Sequence, residues 1–148
     1  MCVSLQCKKE AMDKYFGTWK FVESSNFDAY LIGLGISFPL RKLASLTSPT
    51  VIIKQENEEG EFSVTTDATV RSATATFTLG KPTLERTVDL RTVSSIIDLD
   101  QERDCLVWTS THKNGVTSVD TRTVKGDLMQ VVMEVEGVFA TATFKIKT

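Results

Sequence analysis

The sequence has few of the residues from which catalytic and metal-binding sites are usually built. Its 148 residues include one histidine, His112, and three cysteines. A single histidine without a cluster of cysteines or carboxylates does not form a metal site. No Ser–His–Asp set and no glycine-rich phosphate loop can be recognised. We therefore expect neither an enzyme nor a protein that depends on a metal or a cofactor.

The sequence also lacks a strong charge imbalance and a long apolar run. Its formal net charge is −2, whereas nucleic-acid-binding proteins are typically basic. No apolar stretch approaches the ~20 residues that span a bilayer, and the N-terminal residues lack the apolar core of a secretory signal. Three unpatterned cysteines favour free thiols in a reducing compartment over a disulfide framework. We therefore expect a cytoplasmic protein.

The length is that of one domain with a core or an enclosed cavity. Residues 1–11 are polar and show no periodicity, which is typical of an extension outside the fold. We predict a flexible N-terminal extension over residues 1–11 and a single domain over residues 12–148.

Most of the sequence beyond Pro49 predicts one strand after another. Segments such as PTVIIKQ, LMQVVMEV and VFATATFKI are rich in β-branched and aromatic residues and are separated by turn residues. Asn114-Gly115 predicts a type I′ hairpin turn, in which both residues have positive φ, and Glu136-Gly137 predicts a further turn. About ten short antiparallel strands at even spacing are typical of a sandwich or a barrel.

The stretch from Phe16 to Gly35, FGTWKFVESSNFDAYLIGLG, predicts a strand that leads directly into a short helix. TWKFV alternates polar and apolar residues, as a half-buried strand does. Asn26 is a residue type that accepts hydrogen bonds from free N–H groups at a helix start, and Phe27 and Tyr30 follow at helical spacing. A second short helix is expected at about residues 38–46.

These segments resemble the intracellular lipid-binding protein family, which comprises fatty-acid-binding and cellular retinoid-binding proteins. In that family G-x-W-K and then N-F-D open the chain, and F-x-L-G and D-x-R follow later. The resemblance runs from Phe16 to the C-terminus, and the matching residues are Gly17, Trp19, Lys20, Asn26, Phe27, Asp28, Phe77, Leu79, Gly80, Asp89 and Arg91. It implies an all-β fold, a ten-stranded antiparallel up-and-down β-barrel (clam shell) with a two-helix lid and an internal ligand cavity.

The resemblance also implies a function. We expect an intracellular carrier that binds long-chain fatty acids or similar amphiphilic lipids in its barrel cavity and transports them. We expect no nucleic-acid partner and a monomeric state. Transient membrane contact through the helical lid would depend more on apolar residues than on charge.

The residues that hold the carboxylate in this family are incomplete in the chain. Arg122 matches the first family arginine, but the positions of the later Arg-x-Tyr motif fall on Ala142 and Phe144. Asp120 shares a strand face with Arg122, so the two form either a pair inside the barrel or an exposed surface pair. The reduced clamp leaves two alternatives open, namely a carrier of a neutral or bulky, retinol-like amphiphile and a partner-binding barrel with weakened lipid affinity.

Two groups of residues are expected around the cavity. Phe27 and Tyr30 would roof it as their family matches do, and Asp89 and Arg91 would project toward it near the entrance. Thr109 and Thr111 share one face of their strand, which indicates either a partly wet cavity wall or simply residues that favour strands.

The entrance itself is expected at Val70 and Arg71. Val70 takes the place of the phenylalanine that guards the portal in many relatives, and Arg71 would lie at its edge. His112 lies beside the turn at Asn114-Gly115, so we expect its side chain to be exposed.

Overall fold

The computed structural model describes residues 4–69, 71–88 and 90–148. The described elements are α1 (Leu5–Met12), a 3₁₀ turn (Asp13–Tyr15), β1 (Gly17–Ser25), α2 (Phe27–Gly33), α3 (Phe38–Ser45), β2 (Thr50–Gln55), β3 (Glu61–Asp67), β4 (Ser72–Thr78), β5 (Pro82–Arg86), β6 (Thr92–Asp100), β7 (Cys105–Thr111), β8 (Thr117–Lys125), β9 (Leu128–Val135) and β10 (Val138–Ile146). In this part of the chain, no helix combines the length and the apolar character needed to cross a membrane.

The ten strands form one antiparallel sheet in the order β4-β3-β2-β1-β10-β9-β8-β7-β6-β5. Each strand pairs with its neighbour in the chain, and β1 pairs with β10, so the sheet curls into an almost closed barrel. The two edge strands, β4 and β5, face each other, and the Thr83 hydroxyl donates to the Thr76 carbonyl at 3.0 Å between them. This architecture confirms the predicted ten-stranded barrel.

A cluster of fully buried apolar side chains lies at the end of the barrel from which β1 starts. Trp19, Phe62 and Met129 are at most 1% exposed there. Phe62 packs against the rings of Phe16 and Phe77, with centroid distances of 5.9 and 5.8 Å. This end of the barrel is therefore a dry core.

Part of the expected N-terminal extension is helical, since α1 spans Leu5–Met12, and the flexibility of residues 1–11 stays a prediction. The hydroxyl of Ser4 accepts a hydrogen bond from the N–H of Cys7 at 3.1 Å and caps α1, and Lys9 donates to the carbonyl of Glu58. Cys7 is disulfide-bonded, so the expectation that the cysteines remain free thiols is wrong for this residue. Cys105 is a free, buried thiol. The domain start at residue 12 stays a prediction.

The two-helix lid is confirmed, because α2 follows β1 directly and α3 follows α2. The expected cap at Asn26 is wrong. Its side chain makes no capping bond and instead donates to the Phe139 carbonyl at 2.8 Å. Gly33 lets α2 approach the barrel closely, since a Cβ there would lie 2.6 Å from Cγ1 of Val135. The helices are joined by the ion pair of Arg41 with Asp28 at 3.0 Å.

The predicted turns form, but one of them has a different geometry. Only Gly115 of the Asn114-Gly115 pair has a positive φ, at 84°. The loop between β7 and β8 is therefore not a type I′ turn centred on Asn114-Gly115, and the N–H of Gly115 donates to the carbonyl of His112 at 2.9 Å. Glu136 and Gly137 both have positive φ, at 47° and 80°, so the geometry expected at Asn114-Gly115 occurs there.

Candidate functional site

Strand β8 presents a row of polar side chains to the barrel interior. Its residues alternate between the two faces of the sheet, and the inner face carries Ser118, Asp120 and Arg122. Asp120 lies opposite Trp108 of β7 and Arg122 lies opposite Val131 of β9. Trp108 and Val131 are both buried. The structure therefore places Asp120 and Arg122 together inside the barrel rather than on its surface.

The guanidinium of Arg122 lies over the indole of Trp108, with 5.2 Å between Cζ and the ring centroid. Its Nε and Nη1 atoms are shielded from solvent and have no hydrogen-bond partner among the described residues. Burial lowers the pKa of Arg122, while the charges of Asp120 and Glu85 act in the opposite direction. Two shielded nitrogens of a half-buried arginine thus have no acceptor among the described residues.

Asp120 is bonded to the lid rather than to Arg122. The hydroxyl of Tyr30 on α2 donates to Oδ1 of Asp120 at 3.1 Å. In the described part of the chain, the ion pairs within 4.0 Å do not include Asp120 with Arg122. The direct pairing expected from the sequence is therefore wrong, because the carboxylate turns toward the lid helix.

Burial raises the pKa of Asp120 to about 6, against the lowering effects of the Arg122 charge and the Tyr30 hydrogen bond. The charge of Glu85 on β5 raises it further. Burial and the Asp120 charge also raise the pKa of Tyr30, so the phenol stays protonated as a donor. The carboxyl group of Asp120 therefore changes its charge in a mildly acidic range.

Two further residues of this cluster were not foreseen from the sequence. Nε1 of Trp108 donates to Oε2 of Glu85 at 2.8 Å, which fixes the indole beneath Arg122. The alternation of β7 carries the signal for Trp108, because Leu106 and Trp108 share its apolar face. Glu85 lies on an edge strand with no distinctive pattern, and only the fold brings it close.

Thr109 and Thr111 do not belong to the interior. The inner face of β7 carries Leu106, Trp108 and Ser110, which are buried, and the two threonines lie on the opposite face of the strand. Their assignment to the cavity wall is therefore corrected. The threonines on this strand are therefore strand-favouring residues of the outer face, and the buried residues define the face that points inward.

Ala142 and Phe144 both face the interior from β10 and are 8% and 6% exposed. Ala142 lies opposite Val131, which in turn lies opposite Arg122. The small side chain of Ala142 is therefore in the same cross-strand row as Arg122, two strands away. The ring of Phe144 packs edge-on against Phe21 at 5.8 Å and offers no hydroxyl.

The lid contributes an aromatic pair above the polar cluster. The ring of Phe27 stacks on that of Tyr30, with 6.2 Å between the centroids. Tyr30 is 6% exposed, and Phe27 is half-buried against the core. Both residues lie on the lid helix α2, and their role as the roof of the cavity stays a prediction.

A second polar group continues the inner row of β8 toward the lid end of the barrel. His112 is only 8% exposed, so the expectation of an exposed histidine is wrong. Its Nε2 lies 2.9 Å from the Ser118 hydroxyl and its Nδ1 lies 2.7 Å from Nη1 of Arg91. Arginine can only donate, so Nδ1 is the acceptor and Nε2 carries the hydrogen. Arg91 is thereby tied to the barrel wall.

A cleft of about 490 Å³ opens beside this group. It lies between the α2–α3 loop, the β5–β6 turn and the β7–β8 turn. Its lining combines apolar and basic residues, namely Leu34, Gly35, Arg86, Leu90, Arg91, Thr92, Val93, His112, Lys113 and Asn114. Of the expected entrance residues, Val70 and Asp89 lie outside the described residues, and Arg71 is exposed with Nη1 3.4 Å from the carbonyl of Val88.

The described side chains thus offer donors to a buried anion and apolar walls to a hydrocarbon chain. Within the described ranges, no group of three or more His, Cys, Asp or Glu residues is arranged to hold a metal ion. The chemistry of this arrangement is that of binding an amphiphile.

The chain is similar in sequence to curated proteins of parasitic flatworms. It is 31% identical over 134 residues to a fatty acid-binding protein of Schistosoma japonicum, which covers 90% of this chain and 98% of that protein. It is 33% identical over 134 residues to a fatty acid-binding protein of Clonorchis sinensis, with coverages of 90% and 92%. No protein-family model matches the chain.

Solved structures give the same result. A Schistosoma mansoni fatty acid binding protein in complex with arachidonic acid superposes with a TM-score of 0.86 at 30% identity, covering 93% of this chain and 99% of that one. The structural similarity therefore extends over 93% of this chain.

Proposed function

Since the chain belongs to the fatty-acid-binding protein family, we propose that it binds a long-chain fatty acid inside its barrel and carries it. The carboxylate of the ligand lies against Arg122, and the acyl chain runs along the apolar interior. The relative that was solved with arachidonic acid supports a fatty acid as the ligand class and disfavours the retinol-like alternative.

One observation carries this proposal. Nε and Nη1 of Arg122 are buried without a hydrogen-bond partner in the described part of the chain. A buried charged donor without an acceptor is costly, and its hydrogen bond to an anion contributes about 1.5–3 kcal/mol. A carboxylate that accepts from both nitrogens satisfies these donors.

The apolar part of the ligand finds matching surfaces. Phe77, Ile97, Val131 and Met133 face the interior and are buried. Each methylene that leaves water for such surroundings contributes about 0.8 kcal/mol. The acyl chain therefore supplies most of the affinity, and Arg122 selects the head group.

The cleft at the lid end is the proposed entrance. Arg86, Arg91 and Lys113 line it together with Leu34 and Val93. Basic residues at an opening attract an anionic ligand and raise its rate of association. The apolar residues beside them offer contact to the hydrocarbon chain during passage.

A displacement titration with a fluorescent fatty acid tests the role of Arg122. We expect Arg122→Met, which keeps most of the side-chain volume, to weaken oleate binding about 10- to 100-fold. Oleyl alcohol should be affected much less because it has no carboxylate. Arg103→Met is the matched control, since Arg103 is exposed and pairs with Asp100 at 2.7 Å outside the barrel. Unchanged oleate affinity in Arg122→Met would refute the assignment.

The lid presents apolar side chains to solvent, which supports brief contact with membranes during transfer. Phe38 and Leu46 are 64% and 76% exposed. We expect Leu46→Ser to slow the transfer of a fluorescent fatty acid to phosphatidylcholine vesicles. Leu84→Ser serves as the control, because Leu84 is 75% exposed but lies on β5. Equal rates for the two variants would argue against contact through the lid.

The remaining parts of the proposal concern enzymatic activity, partners, location and oligomeric state. The relatives are named as binding proteins, which supports a carrier rather than an enzyme. The net charge of −2 supports the absence of a nucleic-acid partner. The cytoplasmic location and the monomeric state stay predictions.

A further inference from the structure

The separation of Asp120 from Arg122 leaves a place for a third group. Residues two apart on a strand lie roughly 6–7 Å apart along it, and the described ion pairs do not join these two side chains. Asp120 is held from the lid side by Tyr30 at 3.1 Å. Arg122 is held from below by Trp108 at 5.2 Å. A ligand carboxylate that accepts from Arg122 therefore lies close to the carboxyl group of Asp120.

The groups that face Asp120 come from five elements, including its own strand. Tyr30 of α2 donates to it, and Arg122 of β8 and Glu85 of β5 act on it through their charges. Its cross-strand neighbours on β7 and β9 are Trp108 and Met133, which carry no charge. Arg122 is thus the only cation of the described residues that acts strongly on Asp120.

A ligand carboxylate favours the protonated form of Asp120 over the ionised form. It adds a second negative charge next to Asp120, and it occupies the donors of the one cation that favours the ionised form. Two carboxyl groups that share a buried site usually hold one proton between them. The pKa of Asp120 is already raised to about 6 before a ligand is added. A further increase caused by the ligand carboxylate therefore brings this pKa to neutral pH.

We propose that the protein takes up one proton when it binds a fatty acid, and that Asp120 and the ligand carboxyl group share this proton above the guanidinium of Arg122. The proton comes from solvent and forms an O–H bond to one of the two carboxyl groups. Asp120 is then a specificity-determining residue of the site. This inference rests on the proposed binding of a fatty acid carboxylate at Arg122.

The direction of the pH effect follows from linkage. Because the complex binds more protons than the free protein, affinity increases as the pH falls. The dissociation constant should rise by up to about tenfold per pH unit above pH 6.5. Below about pH 6 free Asp120 is already protonated, so this contribution disappears.

Isothermal titration calorimetry with dodecanoate at pH 7 tests the proposal. Titrations in two buffers of different ionisation enthalpy give the number of protons taken up on binding. We expect about one proton for the wild-type chain and close to zero for Asp120→Asn. Asp28→Asn is the matched control, because this carboxylate lies on the outside of the lid with a 67% exposed side chain, and it should retain the wild-type proton number.

The outcomes separate this inference from the proposed function. Binding of dodecanoate without proton uptake by the wild-type chain would overturn the shared proton and leave the carrier function intact. Unchanged uptake in Asp120→Asn would also overturn it. Absence of binding by the wild-type chain would instead refute the carrier function and the inference with it. Should the Asn variant not fold, the slope of the wild-type dissociation constant between pH 6.5 and 8 decides alone.

Discussion

Tyr30 on the lid helix and Asp120 on the inner wall of the barrel are joined by a hydrogen bond of 3.1 Å, although they are 90 residues apart in the chain. The bond ties the position of α2 to the charge of Asp120. Asp120 in turn shares its strand face with Arg122. The lid and the proposed carboxylate site are therefore parts of one connected group.

We expect Tyr30→Phe to lower the free energy of unfolding by about 1.5–3 kcal/mol at pH 7.5, because a hydrogen bond to a charged group is lost. At pH 4.5 Asp120 is protonated, and the loss should fall to about 0.5–1.5 kcal/mol. Urea denaturation at both pH values measures the difference. Tyr15→Phe is the control: the hydroxyl of Tyr15 is buried without a partner in the described part of the chain, so its removal should cost nothing.

Asp120 should also make the free energy of unfolding depend on pH. Its pKa is raised in the folded protein from 3.8 to about 6, so the native state binds the proton more tightly than the unfolded chain. This residue therefore makes the protein less stable as the pH rises from about 4 to 6. Relative to wild type, Asp120→Asn should gain up to about 3 kcal/mol across this range. Chemical denaturation at closely spaced pH values checks this, and a constant difference would contradict it.

Trp108 should report on ligand binding. Its indole lies directly beneath Arg122 and donates to Glu85 at 2.8 Å, whereas Trp19 is 1% exposed in the dry core at the far end of the barrel. We expect Trp19→Phe to retain the change in tryptophan fluorescence caused by oleate and Trp108→Phe to lose it. A response that persists in Trp108→Phe would place the head group elsewhere.

Gly33 allows the lid to lie closely on the barrel, since an added Cβ would be 2.6 Å from Cγ1 of Val135. Valine has a stiff side chain, so Gly33→Ala should push α2 outward. We expect a loss of about 1–3 kcal/mol in the free energy of unfolding and faster release of oleate in stopped-flow measurements. Adding Val135→Ala removes the clashing methyl group and should restore slow release. No restoration would show that the alanine acts in another way.

The ten strands, the two lid helices and their boundaries follow from local patterns, because alternation and turn residues are local properties of a sequence. The positions of Arg122 and Asp120 inside the barrel agree with the register suggested by the family resemblance. The hydrogen bonds within the site cannot be predicted from local patterns or from the family register. Asp120 bonds to Tyr30 rather than to Arg122, and this choice depends on where α2 lies on the barrel.

Two expectations from the sequence fail because local position does not determine burial. The expected exposure of His112 rests on its place beside a turn, and an inward Thr109 is one of two readings of the threonines that share a strand face. In the structure His112 is buried because Arg91 and Ser118 satisfy both ring nitrogens, and Thr109 faces outward because its neighbours Trp108 and Ser110 take the inner face. Polarity alone does not determine burial when hydrogen-bond partners come from distant segments.

The seam between β4 and β5 has a consequence for the range of cargo. Every other pair of neighbouring strands is locked by a ladder of backbone hydrogen bonds, whereas these two edges are bridged by the Thr83 hydroxyl at 3.0 Å. The circumference of the barrel can therefore change between β4 and β5 without breaking a ladder of backbone hydrogen bonds. A wall that can widen at one place can accommodate acyl chains that differ in length and in the number of bends, while the proposed head-group site on β8, three strands from β5, stays the same.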